Sequence, residues 1–367
     1  MKVTCNRAAL HEAIQLASSI VPSRTPKPIL QCAKLETDPQ NEKLTVLATD
    51  NEISIKYTVP QVEIERSGAA VVPAERLAAI LHETVDETVT LEVTDTTCQI
   101  CGKDSRFRIF GQAAEDFPVV GSLEQESGVE VAAGVLRRQI HLTSFAAARE
   151  NTRYAINGVL WEQRGKKLRM VATDGRRLAR SDGGVETDKK DVEQNVVVSI
   201  KAMAVLERIL NDPDEKVKVG FTENQIYMRT ALVEVTSNLV QGRFPKYEDV
   251  IPTGCDKKVQ IASEPLRSAV RRAALLTNEQ SRGIQLSFSG ENLCLSSNTP
   301  ETGEVEINLK VDYQGEPIKI GFNPQYLLDM LRVLDEAEVT LEFVDSSKPG
   351  LIRAGRDFLY VVMPVSV

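Results

Sequence analysis

The sequence predicts an α+β protein built from three similar domains in tandem. Its 367 residues are enough for two or three domains, each with its own hydrophobic core. Sequence landmarks recur about every 125 residues. Each repeat combines two amphipathic helix patterns with several short, alternating strand patterns. A chain of this kind packs its helices against antiparallel sheets.

A strand-like segment carries the clearest repeat. LTVLATD begins at Leu44, LRMVATD at Leu168 and LCLSSNT at Leu293, so the starts lie 124 and 125 residues apart. DFPVV at Asp116 and RFPKY at Arg243 lie 127 residues apart. This period has the length of a domain and exceeds the ~20 to 50 residues of a solenoid unit.

The helix patterns recur with the same period. Each repeat opens on a short strand pattern, in KVTC, VEVA and KVQIA, and a first helix follows in which Leu10, Leu136 and Leu266 hold matching places. A second helix follows in VPAERLAAIL, VSIKAMAVLERIL and FNPQYLLDML. The linker-like segments GSLEQESG and PTGCDKK separate the repeats. We therefore predict domains at 1–123, 128–252 and 253–367.

Composition and charge narrow the functional classes. The chain is 42% hydrophobic and 26% charged, with a net charge of −8, which argues against a uniformly basic coat but allows a local basic surface. The start MKVTCNRAAL lacks the apolar core of a secretory signal, and no apolar stretch is long enough to span a membrane. We expect a cytoplasmic protein with reduced cysteines and no metal or cofactor site.

A basic stripe is predicted along the first helices. The residue after each anchor leucine is His11, Arg137 or Arg267, and Gln15, His141 or Arg271 lies four positions further on the same face. An ordinary solvated face is the alternative, but one sign at matched places favours loose contact with a nucleic-acid backbone. The proline-rich loop VPSRTPKP is either a stiff connector or a phosphate-contacting loop. The candidate contacts are Arg7, His11, Arg24, Lys27, Arg137, His141, Arg149, Arg267 and Arg271.

Motifs of common enzymes are absent from the sequence: there is no P-loop, dinucleotide fingerprint, H-E-x-x-H or G-x-S-x-G. Asp174 in ATDGRRLAR stands beside two arginines and could be a nucleophile. Its repeat partners are Asp50 and Thr299, a pattern that favours a turn at a strand end. We predict no catalytic site, with an enzyme using Asp174 as the less favoured alternative.

Five segments closely resemble the family of the bacterial DNA polymerase III β subunit, the sliding clamps: RYAINGVLWE, LRMVATDGRRLA, LVQGRFPKYEDVIP, GFNPQYLLDML and YVVMP. The resemblance covers the whole chain. It implies a head-to-tail homodimer ring of six domains, with helices lining a hole for duplex DNA. It also implies partners, namely the replicative polymerase, the clamp loader and other clamp-motif proteins. A three-domain scaffold that does not encircle DNA is the alternative.

The resemblance also implies a groove that accepts a partner peptide with a glutamine and apolar-aromatic anchors. The matching positions are Arg153, Tyr154, Ile156, Thr173, Gly175, Arg176, Arg177, Leu178, Pro245, Val250, Asn323, Tyr326, Val361, Met363 and Pro364. Three features depart from the family pattern: Ala155 replaces a larger residue, Arg176 stands where histidine is common, and the tail Val365-Ser366-Val367 lacks an arginine. The preferred peptide motif is therefore left open.

By the same resemblance, the dimer joins the first domain of one copy to the third domain of another. Phe107 and Ile109 are expected to pack against Leu275 and Leu276. Ion pairs are expected at the rim, between Arg106 or Arg108 and Glu301 or Glu304. Arg24 matches a DNA-contacting position, and Arg149 and Glu150 lie near another.

Overall fold

The computed structural model describes residues 1–120, 128–150, 154–187, 193–277, 283–299 and 303–366. Two α-helices fall in each repeat, as predicted. They are α1 (Arg7–Ile20), α2 (Ala74–Glu83), α3 (Ala133–Thr143), α4 (Ile200–Ile209), α5 (Ser263–Ala273) and α6 (Pro324–Val333). The anchors Leu10, Leu136 and Leu266 are buried in the core.

The strands alternate with the helices in the predicted order. The first repeat holds β1 (Lys2–Asn6), β2 (Cys32–Asp38), β3 (Lys43–Thr49), β4 (Ile53–Val59), β5 (Glu63–Arg66), β6 (Ala69–Pro73), β7 (Thr88–Thr94), β8 (Thr97–Cys101) and β9 (Arg106–Phe110). The second holds β10 (Val129–Ala132), β11 (Gly158–Arg164), β12 (Lys167–Thr173), β13 (Arg177–Gly184), β14 (Glu193–Ser199), β15 (Lys216–Phe221), β16 (Gln225–Arg229) and β17 (Val233–Asn238). The third holds β18 (Lys257–Ala262), β19 (Ile284–Ser289), β20 (Asn292–Thr299), β21 (Gly303–Lys310), β22 (Ile318–Phe322), β23 (Glu338–Phe343), β24 (Gly350–Ala354) and β25 (Phe358–Val362).

The chain folds into two compact units that do not follow the three repeats. The first unit combines Met1–Gly134 with Ala204–Leu239, and the second combines Val135–Met203 with Val240–Val367. The sheets of the first unit have the orders β5-β1-β7-β8-β9 and β10-β15-β16-β17-β4-β3-β2-β6. Those of the second have the orders β14-β11-β12-β13-β25-β24-β23-β18 and β21-β20-β19-β22. The α+β class is confirmed, and the middle repeat is shared between the units.

Two strand pairings join one repeat to the next. In the first joint, β17 runs antiparallel to β4, with Val235 opposite Ile55. In the second joint, β13 runs antiparallel to β25, with Ala179 opposite Tyr360. Each joint makes one continuous eight-stranded sheet from halves of two repeats.

The helices cover the sheets with their apolar faces. α1 packs on β3 and β4 and beside α2, and its buried side chains, such as Leu10 and Ile14, recur at helical spacing. Asn6 caps α1 by accepting a hydrogen bond from the backbone of Ala9 at 3.0 Å. Within the described ranges, no helix has the length and apolar character needed to cross a membrane.

Candidate binding pocket and basic helix surface

A tight turn links β12 to β13 and forms part of the lining of the candidate pocket. The Asp174 carboxylate accepts hydrogen bonds from the backbone N–H of Arg176 at 2.9 Å and of Arg177 at 3.1 Å. The Thr173 hydroxyl donates to the Arg177 carbonyl at 2.6 Å and accepts from Gly175 at 3.1 Å. Gly175 has a φ of +84°, a backbone conformation that favours glycine.

The first repeat contains the same turn between β3 and β4. Asp50 accepts from the backbone of Glu52 at 2.8 Å and of Ile53 at 2.7 Å. The Thr49 hydroxyl donates to the Ile53 carbonyl at 2.9 Å. The repeated aspartate therefore shapes a strand-end turn, as the repeat pattern predicts.

Arg177 takes the place of Ile53 and extends the second turn into a buried ionic cluster. Its guanidinium contacts Asp174 Oδ2 at 3.0 Å and Asp329 Oδ2 at 2.6 Å, and donates to the Phe145 carbonyl at 2.9 Å. It also lies 4.7 Å from the centre of the Tyr326 ring. Burial opposes the charge, but the bonds to Asp329 and Asp174 outweigh it and raise the pKa of Arg177. The guanidinium is therefore a charged part of the wall of the site, held by several partners at once.

A cavity of about 240 Å³ opens beside this turn. Its floor includes Leu178 and Val361, each 2% exposed, while Tyr154, Val250 and Met363 keep 50%, 46% and 41% of their surface in solvent. An open pocket with apolar walls and a few fixed polar groups is suited to apolar side chains of a ligand. The lining residues are Tyr154, Ile156, Thr173, Gly175, Arg176, Arg177, Leu178, Pro245, Lys246, Tyr247, Val250, Val361 and Met363.

Tyr247 anchors the floor of the cavity to a polar network beneath it. Its hydroxyl donates to Glu162 Oε2 at 2.5 Å and accepts from Arg169 at 3.2 Å. Arg169 in turn contacts Asp182 at 2.5 Å. Burial and the Glu162 carboxylate raise the pKa of Tyr247, so the phenol stays neutral and its ring is held in place.

Eleven of the fifteen predicted groove residues line this cavity. Tyr326 instead stacks on Arg177, and Asn323 caps α6 by accepting from the Gln325 backbone at 2.9 Å. Pro364 does not line it, and Arg153 lies outside the described residues. The sequence reasoning missed Lys246 and Tyr247 in the wall, although both stand inside the quoted segment LVQGRFPKYEDVIP. It also missed Phe145 and Asp329, which hold Arg177.

The candidate nucleic-acid contacts fall into two groups. Those whose side chains are exposed are Arg24, Lys27, Arg137, His141, Arg149 and Arg271. The others, Arg7, His11 and Arg267, are half-buried. Arg7 donates to the carbonyl of Asp86 at 3.3 Å, beyond the end of α2, and Arg267 forms an ion pair with Glu264.

His11 is a half-buried aromatic contact. Its ring centre lies 5.7 Å from that of His82. Burial, together with His82 and Arg7, lowers the pKa of His11. Its imidazole is therefore neutral at neutral pH and adds no positive charge to the stripe.

The candidate dimer residues differ in their exposure within a single copy. Ile109 is 6% exposed, because its own sheet and core cover it. Phe107 is 39% exposed, Phe110 71% and Leu275 76%. Arg106, Arg108 and Glu304 are exposed, Leu276 is half-buried, and Glu301 lies outside the described residues.

Comparisons with known proteins identify one family along the chain. Models of the N-terminal, central and C-terminal domains of the DNA polymerase III beta subunit match residues 1–121, 130–246 and 248–366. The chain is 36% identical over 368 residues to the beta sliding clamp of Pseudomonas putida and 33% identical over 370 residues to that of Escherichia coli K12. The P. putida alignment covers 100% of both chains.

Solved structures agree in fold over the full length. A sliding clamp from Pseudomonas aeruginosa, solved with griselimycin bound, has a TM-score of 0.93 at 34% identity, and the match covers 100% of both chains. A DNA polymerase sliding clamp from Bacillus subtilis has a TM-score of 0.94 at 29% identity, covering 100% of this chain and 99% of its own.

Replacing the aspartate of each turn separates its local role from its role in the pocket. Asp50→Ala removes the hydrogen bonds of its turn and should lower the free energy of unfolding by ~1 kcal/mol. Asp174→Ala also removes one partner of the buried Arg177 and should cost ~3 kcal/mol or more. Urea denaturation followed by circular dichroism measures both values. Equal losses in the two variants would contradict the role assigned to the Asp174–Arg177 contact.

Proposed function

The chain belongs to the family of the bacterial DNA polymerase III beta subunit and functions as a DNA sliding clamp, and we propose that two copies close head to tail into a ring around duplex DNA. The observation that carries the function is the tandem match of all three family domains, over residues 1–121, 130–246 and 248–366. We propose domain limits of 1–123, 128–252 and 253–367.

The repeated joints support a specific way of closing the ring. β9 occupies the place in the first repeat that β17 and β25 occupy in the second and third. β21 likewise corresponds to β4 and β13. Within the described chain, β9 and β21 are the outer strands of their sheets. We propose that β9 of one copy pairs with β21 of the other, because the same two kinds of edge already pair at both joints.

The internal joints also supply the register of that pairing. Phe107 pairs with Ile100 as Val235 pairs with Met228 and Tyr360 with Ile352, so these three residues hold matching places. At the joints, Val235 lies opposite Ile55 and Tyr360 lies opposite Ala179.

In β21, the residue that corresponds to Ile55 and Ala179 is Val305. Ile55 pairs with Ala48 and Ala179 pairs with Ala172, and Val305 pairs in the same way with Ser297. Phe107 would thus lie opposite Val305 of the second copy. Arg108 would face its Glu304, and Arg106 its Glu306.

A charge exchange tests this register. Arg108→Glu places two carboxylates opposite each other and should raise the dimer dissociation constant by about tenfold, as should Glu304→Arg. The double variant should recover most of the loss, since it restores an opposite-charge pair. Sedimentation equilibrium measures the constants, and Lys103→Glu, in the turn before β9, is the matched control. If the double variant lost as much dimerisation free energy as the two single variants together, the result would refute the pairing.

The exposed basic positions support loose contact with DNA. Arg24, Lys27, Arg137, Arg149 and Arg271 are exposed cations in a chain of net charge −8. Side chains of this kind reach phosphates without reading bases. We propose that they face the duplex, and that retention on DNA comes from ring closure and not from affinity.

Retention on DNA of different topology tests the ring. Clamps loaded onto nicked circular DNA should stay bound through gel filtration, and linearising the circle should release most of them. Linear DNA with protein-blocked ends is the control and should retain them. Equal retention on open linear and circular DNA would exclude the topological mechanism.

The cavity beside the Asp174 turn supports a role as the partner-peptide site. Its exposed apolar walls suit aromatic and aliphatic anchors, and the ion pair with Asp329 holds Arg177 in the adjoining wall. We propose that the replicative polymerase, the clamp loader and other clamp-motif proteins insert a short peptide there.

Truncating the exposed walls tests that assignment. Tyr154→Ala and Met363→Ala should each weaken binding of a fluorescent peptide with a glutamine and apolar-aromatic anchors by about tenfold or more. Fluorescence polarisation measures the affinity. Val119→Ala is the matched control, since Val119 is 97% exposed and lies outside the cavity. Unchanged affinity in both pocket variants would place the peptide elsewhere.

We propose that the protein is a processivity factor without a catalytic site. Asp174 has its carboxylate engaged by two backbone N–H groups and Arg177, which leaves a turn-forming role in place of a nucleophilic one. We further propose that it acts in the bacterial cytoplasm, where chromosomal DNA is replicated.

A further inference from the structure

The two joints differ in the charged residues that lie between their helices. In the second joint, Arg138 on α3 forms an ion pair with Glu336, which follows the end of α6. Asp335 and Asp357 lie 3.9 Å and 3.8 Å from the same guanidinium. One guanidinium thus lies within 4 Å of three carboxylates and offsets part of their charge.

The first joint reverses the charge at the central position. Glu12 stands two residues after the anchor Leu10, as Arg138 stands two residues after Leu136. Asp212 follows the end of α4 by three residues, as Glu336 follows the end of α6. In the first joint, the Glu12 carboxylate therefore stands in the place of the Arg138 guanidinium, and Asp212 keeps an acidic residue in the place of Glu336.

A cavity of about 580 Å³ lies at this place in the first unit. Its floor is apolar, since Leu16, Tyr57 and Ile209 are all buried. Its rim carries charged side chains. The full lining is Glu12, Gln15, Leu16, Tyr57, Arg208, Ile209, Asn211, Asp212, Glu215, Thr230, Ala231, Leu232 and Val233.

Not all of the rim charges are available to a ligand. Glu215 accepts a hydrogen bond from the backbone of Ala231 at 2.6 Å. Burial, together with the neighbouring Glu12 carboxylate, raises the pKa of the Tyr57 phenol to about 12, so Tyr57 is a neutral donor. Arg208 on α4 corresponds to Arg332 on α6 in the second joint. There Glu336 pairs with Arg138 on the other helix, so we do not expect Arg208 to take the place of that second arginine. Asp212 Oδ1 likewise accepts a hydrogen bond from the backbone of Asp214, at 3.1 Å. Glu12 and Asp212 are nevertheless the carboxylates that hold the places of Arg138 and Glu336, so they are the pair that would face an incoming cation.

We propose that this cavity binds an arginine side chain presented by a partner polypeptide. The guanidinium would lie between Glu12 and Asp212, where the second joint holds its own guanidinium. The aliphatic stem would pack on Leu16, Tyr57 and Ile209. Arginine is favoured over lysine because its planar group can bond two carboxylates at once. This site is distinct from the cavity beside Asp174 and does not depend on the peptide proposed there.

The test uses the full-length protein and N-acetyl-arginine-N-methylamide as the probe, with binding measured by saturation-transfer NMR. The citrulline analogue has nearly the same shape but no charge, and it should not bind measurably. Glu12→Gln and Asp212→Asn should each weaken binding of the arginine probe by about fivefold or more, since each removes one charge-assisted contact. Glu63→Gln, on the exposed strand β5, is the matched control and should bind as the wild type does.

Glu12→Arg gives an independent check, because it should fill the cavity with the chain's own guanidinium and abolish probe binding. The two amide variants keep the test valid if this larger change disturbs folding. The proposal would be overturned if the citrulline probe, or the corresponding lysine derivative, bound as well as the arginine probe. Unchanged affinity in both Glu12→Gln and Asp212→Asn would overturn it as well.

Discussion

Backbone hydrogen bonding between the edge strands of successive repeats is the interaction on which the rest of the structure depends. A sheet half with an unpaired edge exposes a row of N–H and C=O groups that must find partners. This chain pairs β17 with β4 and β13 with β25, and so turns four half-sheets into two continuous ones. Since the pairing is antiparallel and in register, each joint also sets which side chains of the two repeats meet.

The functional surfaces are variations placed on those repeated parts. Asp50 and Asp174 make the same turn, yet only the second turn is followed by an arginine, which Asp329 and the Phe145 carbonyl hold beside an apolar cavity. The joints vary in the same way. Arg138 closes the second joint with ion pairs, and Glu12 leaves the corresponding place in the first joint as an acidic cavity. A repeated framework therefore supports different chemistry wherever one residue changes.

Local pattern and resemblance account for much of the site but fail where burial depends on distant elements. The turn at Asp174 follows from the repeat, because an aspartate at a strand end bonds the backbone of its own neighbours. The burial of Ile109 does not follow, since strand alternation indicates which residues share a face but not what covers it. Arg7 was expected on a basic stripe, and its guanidinium also donates to the carbonyl of Asp86, 79 residues further along the chain. Tyr247 was missed because its partners Glu162 and Arg169 lie about 80 residues away along the chain.

The sequence by itself determined the period of the repeats, the order of helices and strands, and the strand-end turns, because helical and strand periodicity and turn chemistry are local. Only the tertiary structure decided which strands share a sheet. The middle repeat contributes its strands to two different eight-stranded sheets, and the compact units cut across the repeats as a result. Backbone hydrogen bonds between edges are made by every residue type, so the choice of partner leaves no mark in composition and depends on how the whole chain buries its apolar faces.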